Sequence, residues 1–257
     1  MHGKQIMKLS FVIPAWNEER YIRPCLASIT REAAKSEQDI EIIVVNNASE
    51  DRTRQIALEF PDIVIVDEPR KGLPQARQAG FLASRGDLIA NIDADCLLPS
   101  SWITKVYGEF ALDDGLVALS GPYEYYDLSR LTNYSVRAYY LLAYGLHLIA
   151  HHVVGKGAVM QGGNFVLRRA ALEKIGGFNT DIKFYGEDTD IARRIQKIGR
   201  VKFLPSLKMP TSGRRLREEG IIKMAARYAI NYFWIVFVQK PFTKNYLCVG
   251  NRRIMGE

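Results

Sequence analysis

Short apolar runs alternate with longer amphipathic stretches through the first 120 residues of the chain. Five of these runs predict β-strands, at residues 9–13, 40–45, 63–66, 88–92 and 116–119. Helical patterns lie between them at about 18–31, 50–59 and 72–84. The first four runs are apolar on both faces, which is typical of buried strands in a parallel sheet. This alternation predicts an α/β fold with a mostly parallel central sheet flanked by helices.

After residue 120 the alternation stops, and we treat residues 1–120 and 121–257 as two halves of a single domain. Residues 138–155 hold three Tyr, two Gly and three His but no Asp, Glu, Lys or Arg. A membrane-spanning helix needs about 20 predominantly apolar residues, so this segment is too short and too polar to span. Two interpretations stay open: a buried helix or wall of an acceptor groove, and a helix in the membrane interface.

Charge is distributed unevenly along the chain, although the formal net charge is only +7. Residues 193–257 hold 15 Lys or Arg and 3 Asp or Glu, whereas residues 1–192 hold 20 and 25. A second apolar run, at 232–238, lies within this basic end. Basic and aromatic residues together favour peripheral contact with an anionic membrane, with a helix packed on the core as the alternative. The chain has no zinc-ligand spacing and no RNA-binding signature, so we expect no nucleic-acid partner.

Cysteine use and the start of the chain indicate the compartment. Cys25, Cys96 and Cys248 are far apart, odd in number and without metal-ligand spacing. Such cysteines are typical of reduced thiols that pack in a cytosolic protein. The first ten residues contain no long apolar region of the kind that a secretory signal needs. We therefore expect a cytoplasmic protein, peripheral on the inner face of the membrane if the basic end binds lipid.

Two acidic clusters carry most of the predicted chemistry. Asp93 and Asp95 directly follow the apolar run at 88–92, and a strand that ends in this way presents them at the sheet edge where α/β proteins bind ligands. Carboxylate oxygens there suit Mg²⁺ or Mn²⁺ bound to a diphosphate. Glu187 and Asp188 open a helical pattern, where one carboxylate can act as a general base. Together the clusters predict transfer of a group from a nucleotide diphosphate to a hydroxyl. A solvated turn and a helix-dipole carboxylate are the simpler alternatives.

Three further positions have local interpretations of their own. Asn17 follows the first strand and predicts a helix cap, with Glu18 complementing the helix dipole. Pro74 predicts the first turn of the third helix. Gly163, in the Gly-Gly-Asn sequence before an apolar run, allows close approach of the backbone to a sugar or phosphate, or else a bulge.

Taken in order, the segments that carry these residues resemble glycosyltransferase family 2, a group of inverting sugar transferases with the GT-A fold. The matching stretches extend to about residue 200 and read FVIPAWNEE, EIIVVNNASEDRT, KGLPQARQAG, DLIANIDADCLLP, GGNFVLRRAALEKIGGF and YGEDTDIARRI. The resemblance implies a nucleotide-sugar-binding half at 1–120 and an acceptor-binding half at 121–257.

The resemblance also implies a donor site. Its eight residues would be Pro14, Ala15, Asn17, Glu18, Asn46, Lys71, Arg77 and Asp93. Lys71 and Arg77 are expected near the phosphates, and Asp93 at the ribose or sugar. Asn46 is a departure, because the family usually has an Asp there that contacts a pyrimidine base. A UDP-sugar is the favoured donor, with GDP- and dTDP-sugars as alternatives.

The metal and acceptor sites follow from the same resemblance. Asp95 is expected to bind Mn²⁺ or Mg²⁺, Asp188 to act as general base, and Glu187 and Gly163 to bind the acceptor. The family often has a further metal ligand after the base helix, commonly His, but no His follows residue 152 here. Residues 211–215 occupy about that position, and their Ser and Arg side chains are expected to contact the diphosphate instead.

The sequence thus predicts a metal-dependent, inverting glycosyltransferase acting on a saccharide or lipid-linked acceptor, in the manner of cell-envelope glycan biosynthesis. The Gln-x-x-Arg-Trp signature of processive members does not occur, so transfer is expected to be non-processive. One alternative is a nucleotidyltransferase, which would release pyrophosphate. The other is a non-catalytic, donor-binding partner of another transferase.

Overall fold

The computed structural model of the protein describes residues 7–136, 160–182 and 186–220, with a few positions after residue 220. The segments at 138–155 and 232–238, for which membrane or acceptor contact was predicted, lie outside these residues. Among the residues described, no helix is long and apolar enough to cross a membrane.

The strands follow the predicted order. They are β1 Leu9–Ala15, β2 Ile40–Asn46, β3 Ile63–Asp67, β4 Leu88–Ile92, β5 Leu116–Ser120, β6 Tyr123–Tyr125, β7 Asn164–Arg168, β8 Arg200–Phe203, β9 Met209–Thr211, β10 Tyr246–Leu247 and β11 Ile254–Met255. The helices are α1 Ile22–Ala33, α2 Thr53–Leu58, α3 Leu73–Ala83, α4 Trp102–Leu112, α5 Arg169–Lys174, α6 Glu187–Ile195 and α7 Arg214–Glu219. All five predicted strands are confirmed, each starting at the predicted residue.

A seven-stranded sheet in the order β3-β2-β1-β4-β7-β5-β8 forms the centre of the fold. The pairs β1–β2, β1–β4, β2–β3 and β5–β8 are parallel, and only β7 runs antiparallel to its two neighbours. The prediction of a mostly parallel α/β sheet is therefore confirmed. Strands β7 and β8 come from the second half of the chain, so one sheet crosses the boundary at residue 120.

Strand β3 does not have the burial that its apolar sequence predicts. It is the outermost strand, and its residues are only partly buried or exposed. The expectation of a strand buried on both faces is wrong here because no further strand or helix covers this edge fully, leaving Val64 half exposed. Strands β1 and β4 are fully buried, as predicted. Strand β5 is fully buried as well.

The register of β1 opens a crevice at the carboxyl end of the sheet. β1 pairs with β2 through to Ala15, but with β4 only as far as Val12. The carbonyl of Ala15 accepts a bond from the β2 side, so the nitrogen of Pro14 points to the other side, where β4 no longer pairs. Because proline has no N–H to donate, it fits this position without the loss of a ladder bond. β1 and β4 therefore separate just before the predicted ligand residues.

Two apolar layers cover the faces of the sheet. On one face, residues of α1, α2 and α4 pack around Phe11, Ile13 and Trp102. On the other, residues of α3, α5 and α6 pack around Val12 and Phe165. Each layer buries fully enclosed aromatic or aliphatic side chains, which contribute roughly 1.5–3 kcal/mol apiece to folding. The strand ends that carry polar residues are thus held on a rigid base.

Two helices start where the sequence predicts, and one starts later. Pro74 lies in the first turn of α3, and α6 begins at Glu187, as predicted. The cap predicted for Asn17 is wrong, because α1 begins only at Ile22 and has no side-chain cap. Asn17 instead has a left-handed backbone (φ 55°), and its Oδ1 accepts a hydrogen bond from the Glu50 N–H at 2.8 Å. It joins the loop after β1 to the loop after β2.

Two helical glycines allow a test of how tightly α3 packs on the sheet. A methyl group at Gly80 would collide with Val12 and Val45, whereas one at exposed Gly108 on α4 would have no atom within 4 Å. We expect Gly80→Ala to lower the free energy of unfolding by about 1–3 kcal/mol through overpacking. Gly108→Ala should raise it by about 0.5–1 kcal/mol through reduced backbone entropy. Denaturant unfolding measures both, and a stabilised Gly80→Ala variant would contradict the packing described.

Candidate active site

A fully buried arginine connects the two acidic clusters. Arg77 on α3 is 0% exposed; its Nη1 donates to Glu187 Oε1, and its Nη2 lies 3.2 Å from Asp93 Oδ1. Nη2 also donates to the carbonyl of Gly162, and the guanidinium lies 5.0 Å from the ring centroid of Phe165. Arg77 was expected to face the donor phosphates, but the structure places it beneath the crevice, with both terminal nitrogens bonded to protein groups.

Asp93 lies between this buried arginine and the open crevice. Its Oδ2 accepts a hydrogen bond from the Tyr123 hydroxyl at 2.9 Å, and its side chain is 34% exposed. Gly163 packs so closely on Asp93 and Tyr123 that a Cβ atom there would overlap both. Residue 163 must therefore be a glycine for a steric reason: any larger side chain would displace the carboxylate of Asp93.

The second cluster faces the first across the two glycines. An ideal Cβ at Gly162 would lie 3.6 Å from Asp188 Oδ2 and 3.7 Å from Glu187 Oε1. Burial raises the pKa of Glu187 to about 7, with a further contribution from the charge of Asp188, while Arg77 opposes the shift. Burial also raises the pKa of Asp188. The space above Gly162 is thus lined by carboxyl groups that gain protons more readily than usual.

Asp188 and Asp190 have different partners although both lie in the first turn of α6. Asp188 Oδ1 accepts a bond from the Thr189 N–H at 2.7 Å, which leaves Oδ2 towards Gly162. Asp190 is buried and binds Arg193 at 3.1 Å and Arg194 at 2.7 Å within its own helix. Of the two, only Asp188 has an oxygen turned towards the crevice.

A second arginine binds the carboxylates on the other side of the crevice. The Nε of Arg214, at the start of α7, lies 3.1 Å from Asp95 Oδ2, and its Nη1 donates to Glu18 Oε2 at 2.8 Å. The guanidinium lies over the Tyr21 ring at 4.6 Å. The other oxygen of Asp95 accepts a bond from the Thr211 hydroxyl at 3.2 Å.

This arrangement changes the proton affinity of both carboxylates. Burial raises the pKa of Glu18 to about 7; Arg214 opposes the shift, and the charges of Asp95 and Asp93 add to it. Burial likewise raises the pKa of Asp95. The crevice therefore concentrates negative charge that a cation would stabilise.

The carboxylates fit a divalent ion only in part. Asp93 and Asp95 supply hard oxygen atoms of the kind that Mg²⁺ and Mn²⁺ prefer. Within 7–136, 160–182 and 186–220, however, no group of three or more His, Cys, Asp or Glu side chains gathers in a metal-binding arrangement. Mg²⁺ is commonly held by one or two carboxylates together with substrate phosphates. The residues present therefore fit an ion that arrives with a diphosphate.

The end of β2 forms the far side of the crevice. Asn46 Nδ2 donates to Asp67 Oδ1 at 2.8 Å, and Asn46 Oδ1 accepts from the Ser49 N–H at 3.3 Å. Pro14 and Ala15 end the neighbouring strand and are buried. The position at which the family has a base-contacting Asp thus carries an amide that is bonded to a carboxylate of β3.

Lys71 lies on the loop before α3. Its Nζ is 3.0 Å from Glu50 and 5.6 Å from the centroid of the Trp16 ring. Asn47 fixes this loop, because its Nδ2 donates to the Glu68 and Arg70 carbonyls and its Oδ1 accepts from the Gly72 N–H at 2.8 Å. Lys71 is therefore placed beside Trp16, at the entrance on the β1 side.

Two residues of this site, Tyr21 and Tyr123, had no role predicted from the sequence, and for Arg214 the sequence predicted contact with a diphosphate but not the pairing with Glu18 and Asp95. Tyr123 closely follows a predicted strand, and that position was a usable signal. The pairing of Arg214 with Glu18 joins positions 196 residues apart and has no local signal.

Comparison with known proteins identifies the family. A family model described as Glycosyl transferase family 2 matches residues 10–176, and one described as N-terminal domain of galactosyltransferase matches residues 148–211. The "Probable glycosyltransferase YdaM" of Bacillus subtilis is 31% identical over 217 residues, which cover 79% of this chain. "Dolichyl-phosphate beta-glucosyltransferase ALG5C" of Trichomonas vaginalis is 43% identical over 96 residues, or 34% of this chain. The matched regions span 50% of the first relative and 28% of the second.

Solved structures identify the fold. The mannosyltransferase PcManGT from Pyrobaculum calidifontis, in complex with GDP-Man and Mn²⁺, aligns with a TM-score of 0.65 at 21% identity, over 90% of this chain and 63% of that one. Glucosyl-3-phosphoglycerate synthase from Mycobacterium tuberculosis, with Mn²⁺, UDP-Glc and glycerol 3-phosphate, aligns with a TM-score of 0.64 at 20% identity, over 97% and 87%. Both are GT-A glycosyltransferases. The predicted GT-A fold is thus confirmed, and the chain belongs to glycosyltransferase family 2.

Proposed function

We propose that this protein is a metal-dependent, inverting, non-processive glycosyltransferase that moves a sugar from a nucleotide-diphosphate sugar to an acceptor hydroxyl. The observation that carries the proposal is the buried ion chain Asp93–Arg77–Glu187, which brings both acidic clusters to one crevice. Membership of glycosyltransferase family 2 supports it independently.

The donor would bind in the half formed by residues 1–120. Pro14, Ala15, Asn17 and Glu18 would line the nucleotide pocket, with Asn46 at the base and Lys71 at the phosphates. Two similar solved structures carry GDP-Man or UDP-Glc together with Mn²⁺, which supports a nucleotide sugar as donor. A UDP-sugar is favoured, and GDP- and dTDP-sugars are the alternatives.

The metal ion would be Mn²⁺ or Mg²⁺, held by Asp95 as direct ligand with Asp93 beside it. When bound, such an ion neutralises charge on a leaving diphosphate. Asp93, which is held in place by Arg77 and Tyr123, would orient the ribose or the sugar of the donor. Arg77 keeps that carboxylate in place from within the protein, and its proximity to the donor phosphates stays a prediction.

The acceptor would bind in the half formed by residues 121–257. Asp188 would take the proton from the acceptor hydroxyl through Oδ2, the oxygen that faces Gly162. Burial raises its pKa, which makes it a stronger base than an ordinary Asp and supports the general-base role. Glu187, held by Arg77, would orient the acceptor, and the backbone of Gly163 would line the acceptor site where it packs on Asp93.

A saccharide or lipid-linked acceptor, used in cell-envelope glycan biosynthesis, is the proposal, and relatives named as dolichyl-phosphate glucosyltransferases support the lipid-linked class. Peripheral contact with the inner face of the membrane stays a prediction, because the apolar run at 232–238 lies outside the described residues. Product analysis separates the nucleotidyltransferase alternative, since that enzyme would release pyrophosphate and not a nucleoside diphosphate.

The donor and its metal dependence are tested together by thermal shift with UDP-, GDP- and dTDP-sugars in Mn²⁺, Mg²⁺ or EDTA. We expect one donor class to raise the melting temperature in the presence of a divalent ion, because bound ligand stabilises the folded state. Asp95→Ala should lose the metal-dependent part of the rise. Asp113→Ala is the matched control, since Asp113 pairs with Arg200 away from the crevice. Equal shifts in Mn²⁺ and EDTA would rule out Asp95 as a metal ligand, and no shift with any donor would favour the non-catalytic alternative or the nucleotidyltransferase.

The role of Asp188 is tested by Asp188→Asn. The amide keeps the oxygen that accepts the Thr189 N–H bond, so the start of α6 should hold, but it cannot take a proton. We expect donor affinity to change little and turnover to fall about 10²–10⁴-fold. Asp190→Asn is the control. It should lower the stability of the protein by weakening the ion pairs with Arg193 and Arg194, but the folded variant should still transfer sugar at the native rate. Near-normal turnover of Asp188→Asn would exclude the base assignment.

The crevice also predicts how stability depends on pH in the absence of metal. The pKa of Glu18 is raised from 4.5 to about 7 in the folded protein, so the folded state holds this proton to higher pH than the unfolded chain does. The protonated Glu18 therefore stabilises the folded state fully below about pH 4.5, and this contribution is lost as the pH rises through about 7. It adds at most roughly 3 kcal/mol to the free energy of unfolding.

We expect the free energy of unfolding to fall between about pH 5 and pH 8, and Glu18→Gln to make that slope shallower. Glu19→Gln, a change at the exposed neighbouring residue, should leave the slope as in the native protein. Chemical denaturation across this pH range measures the slope. Parallel pH profiles for native protein and Glu18→Gln would show that Glu18 does not titrate in this window.

A further inference from the structure

The Arg214 guanidinium occupies the position at which a cation would approach Asp95. Its Nε is 3.1 Å from Asp95 Oδ2, and its Nη1 and Nη2 both donate to the carboxylate of Glu18. Tyr21 lies against the guanidinium plane at 4.6 Å. Because Thr211 bonds the other Asp95 oxygen, both oxygens of the expected metal ligand already have protein partners.

We propose that Arg214 is an exchangeable counter-ion: it neutralises Asp95 in the free protein and transfers to the donor diphosphate when a divalent ion takes its place on Asp95. This inference rests on the proposed function, since the ligand is the metal–diphosphate pair. It adds a residue that makes the binding of metal and donor interdependent.

The exchange follows from charge. A divalent ion on Asp95 would lie within a few ångströms of the guanidinium, and two cations at that distance repel strongly in a partly buried site. Metal alone must therefore compete with Arg214 for the carboxylate. A nucleoside diphosphate changes the balance, because its oxygens bind the metal and also accept paired hydrogen bonds from a guanidinium.

Arginine has the capacity for this exchange without leaving the crevice. The guanidinium has five N–H donors; one on each terminal nitrogen donates to Glu18, and Nε is paired with Asp95. Each terminal nitrogen keeps a second N–H with no hydrogen-bond partner among the residues that the structure describes, and release of Asp95 would free Nε as well, while Glu18 and Tyr21 keep the group in place. Arg214 is 21% exposed, unlike Arg77, so a ligand has access to it.

The backbone beneath Arg214 is anchored, so only the side chain needs to move. Asp127 accepts bonds from the Ser212 hydroxyl at 2.7 Å and the Gly213 N–H at 2.6 Å, and its Oδ2 is 3.0 Å from Arg217 Nη2. Gly213 packs directly on Leu128. The start of α7 is thus fixed from outside the crevice, and Arg214 stays within reach of both its present and its proposed partners.

Calorimetric or electron paramagnetic resonance titration of the free protein with Mn²⁺ alone tests the first half of the exchange. We expect Arg214→Gln to bind Mn²⁺ about tenfold more tightly than the native protein, because the competing cation is gone. Arg217→Gln removes the same charge from the same helix without contact to Asp95 or Glu18, and should bind Mn²⁺ as the native protein does. Arg214→Lys keeps a positive charge in the crevice and should bind Mn²⁺ weakly.

Titration with UDP, GDP and dTDP in the presence of Mn²⁺ tests the second half. Arg214→Gln and Arg214→Lys should both bind the nucleotide about tenfold more weakly, since neither has the paired donors of the guanidinium. The factor by which Mn²⁺ and nucleotide strengthen each other's binding should shrink in Arg214→Gln and persist in Arg217→Gln. Circular dichroism melting confirms that each variant is folded, and Arg214→Lys keeps the nucleotide test available if Arg214→Gln does not fold.

The outcomes separate this inference from the proposed function. Unchanged or weaker Mn²⁺ affinity in folded Arg214→Gln, with nucleotide binding intact, overturns the exchange alone. Full nucleotide affinity in Arg214→Lys likewise overturns it, because the paired donors would then be unnecessary. Absence of UDP, GDP and dTDP binding in every variant, including the native protein, overturns the diphosphate half of the exchange together with the donor assignment.

Discussion

A buried guanidinium needs negative partners, since an uncompensated charge in a protein interior costs several kcal/mol. Arg77 obtains them from Asp93, which follows β4, and from Glu187, which begins α6. Three elements from distant parts of the sequence must therefore assemble before the charge is satisfied. The same contacts set the spacing across Gly162 and Gly163, so the geometry of the crevice follows from the requirement to neutralise Arg77. Removal of Arg77 would leave the buried Glu187 without its charged partner and Asp93 without one of its bonds, so the cluster is best understood as a unit.

The sequence predicted those parts of this arrangement that depend on local pattern. The strand at 88–92, the acidic pair that follows it and the start of α6 at Glu187 were each visible in a window of about ten residues. The depth of Arg77 was also encoded, because it lies three and four residues before Gly80 and Phe81, on the buried face of α3. The place near the donor phosphates that the family resemblance implies for Arg77 stays a prediction.

Other features had no local signal. The insertion of β7 between β4 and β5 is a pairing between segments more than 40 residues apart, and strand propensity says nothing about partner choice. The partial exposure of β3 follows from its place at the sheet edge and not from its composition. Asn17 bonds to the Glu50 N–H across 33 residues, whereas the cap predicted for it assumed that the helix begins directly after the strand. In each case tertiary contacts decided between locally acceptable alternatives.

The two arginines of the crevice, Arg77 and Arg214, have different roles although both act through a guanidinium group. Arg77 is enclosed, packs on Phe165 and has its two terminal nitrogens bonded to protein oxygens, so it acts as a fixed structural charge. Arg214 is partly exposed and packs on Tyr21, so its partners are open to competition from a ligand. Negative charge in the crevice, with the pKa values of Glu18 and Glu187 both near 7, disfavours the free folded state as the pH rises. A ligand that brings positive charge to this crevice relieves that repulsion, so its binding energy also stabilises the fold. The electrostatic cost of assembling the acidic groups is thereby linked to the affinity for the metal and donor that the site is proposed to bind.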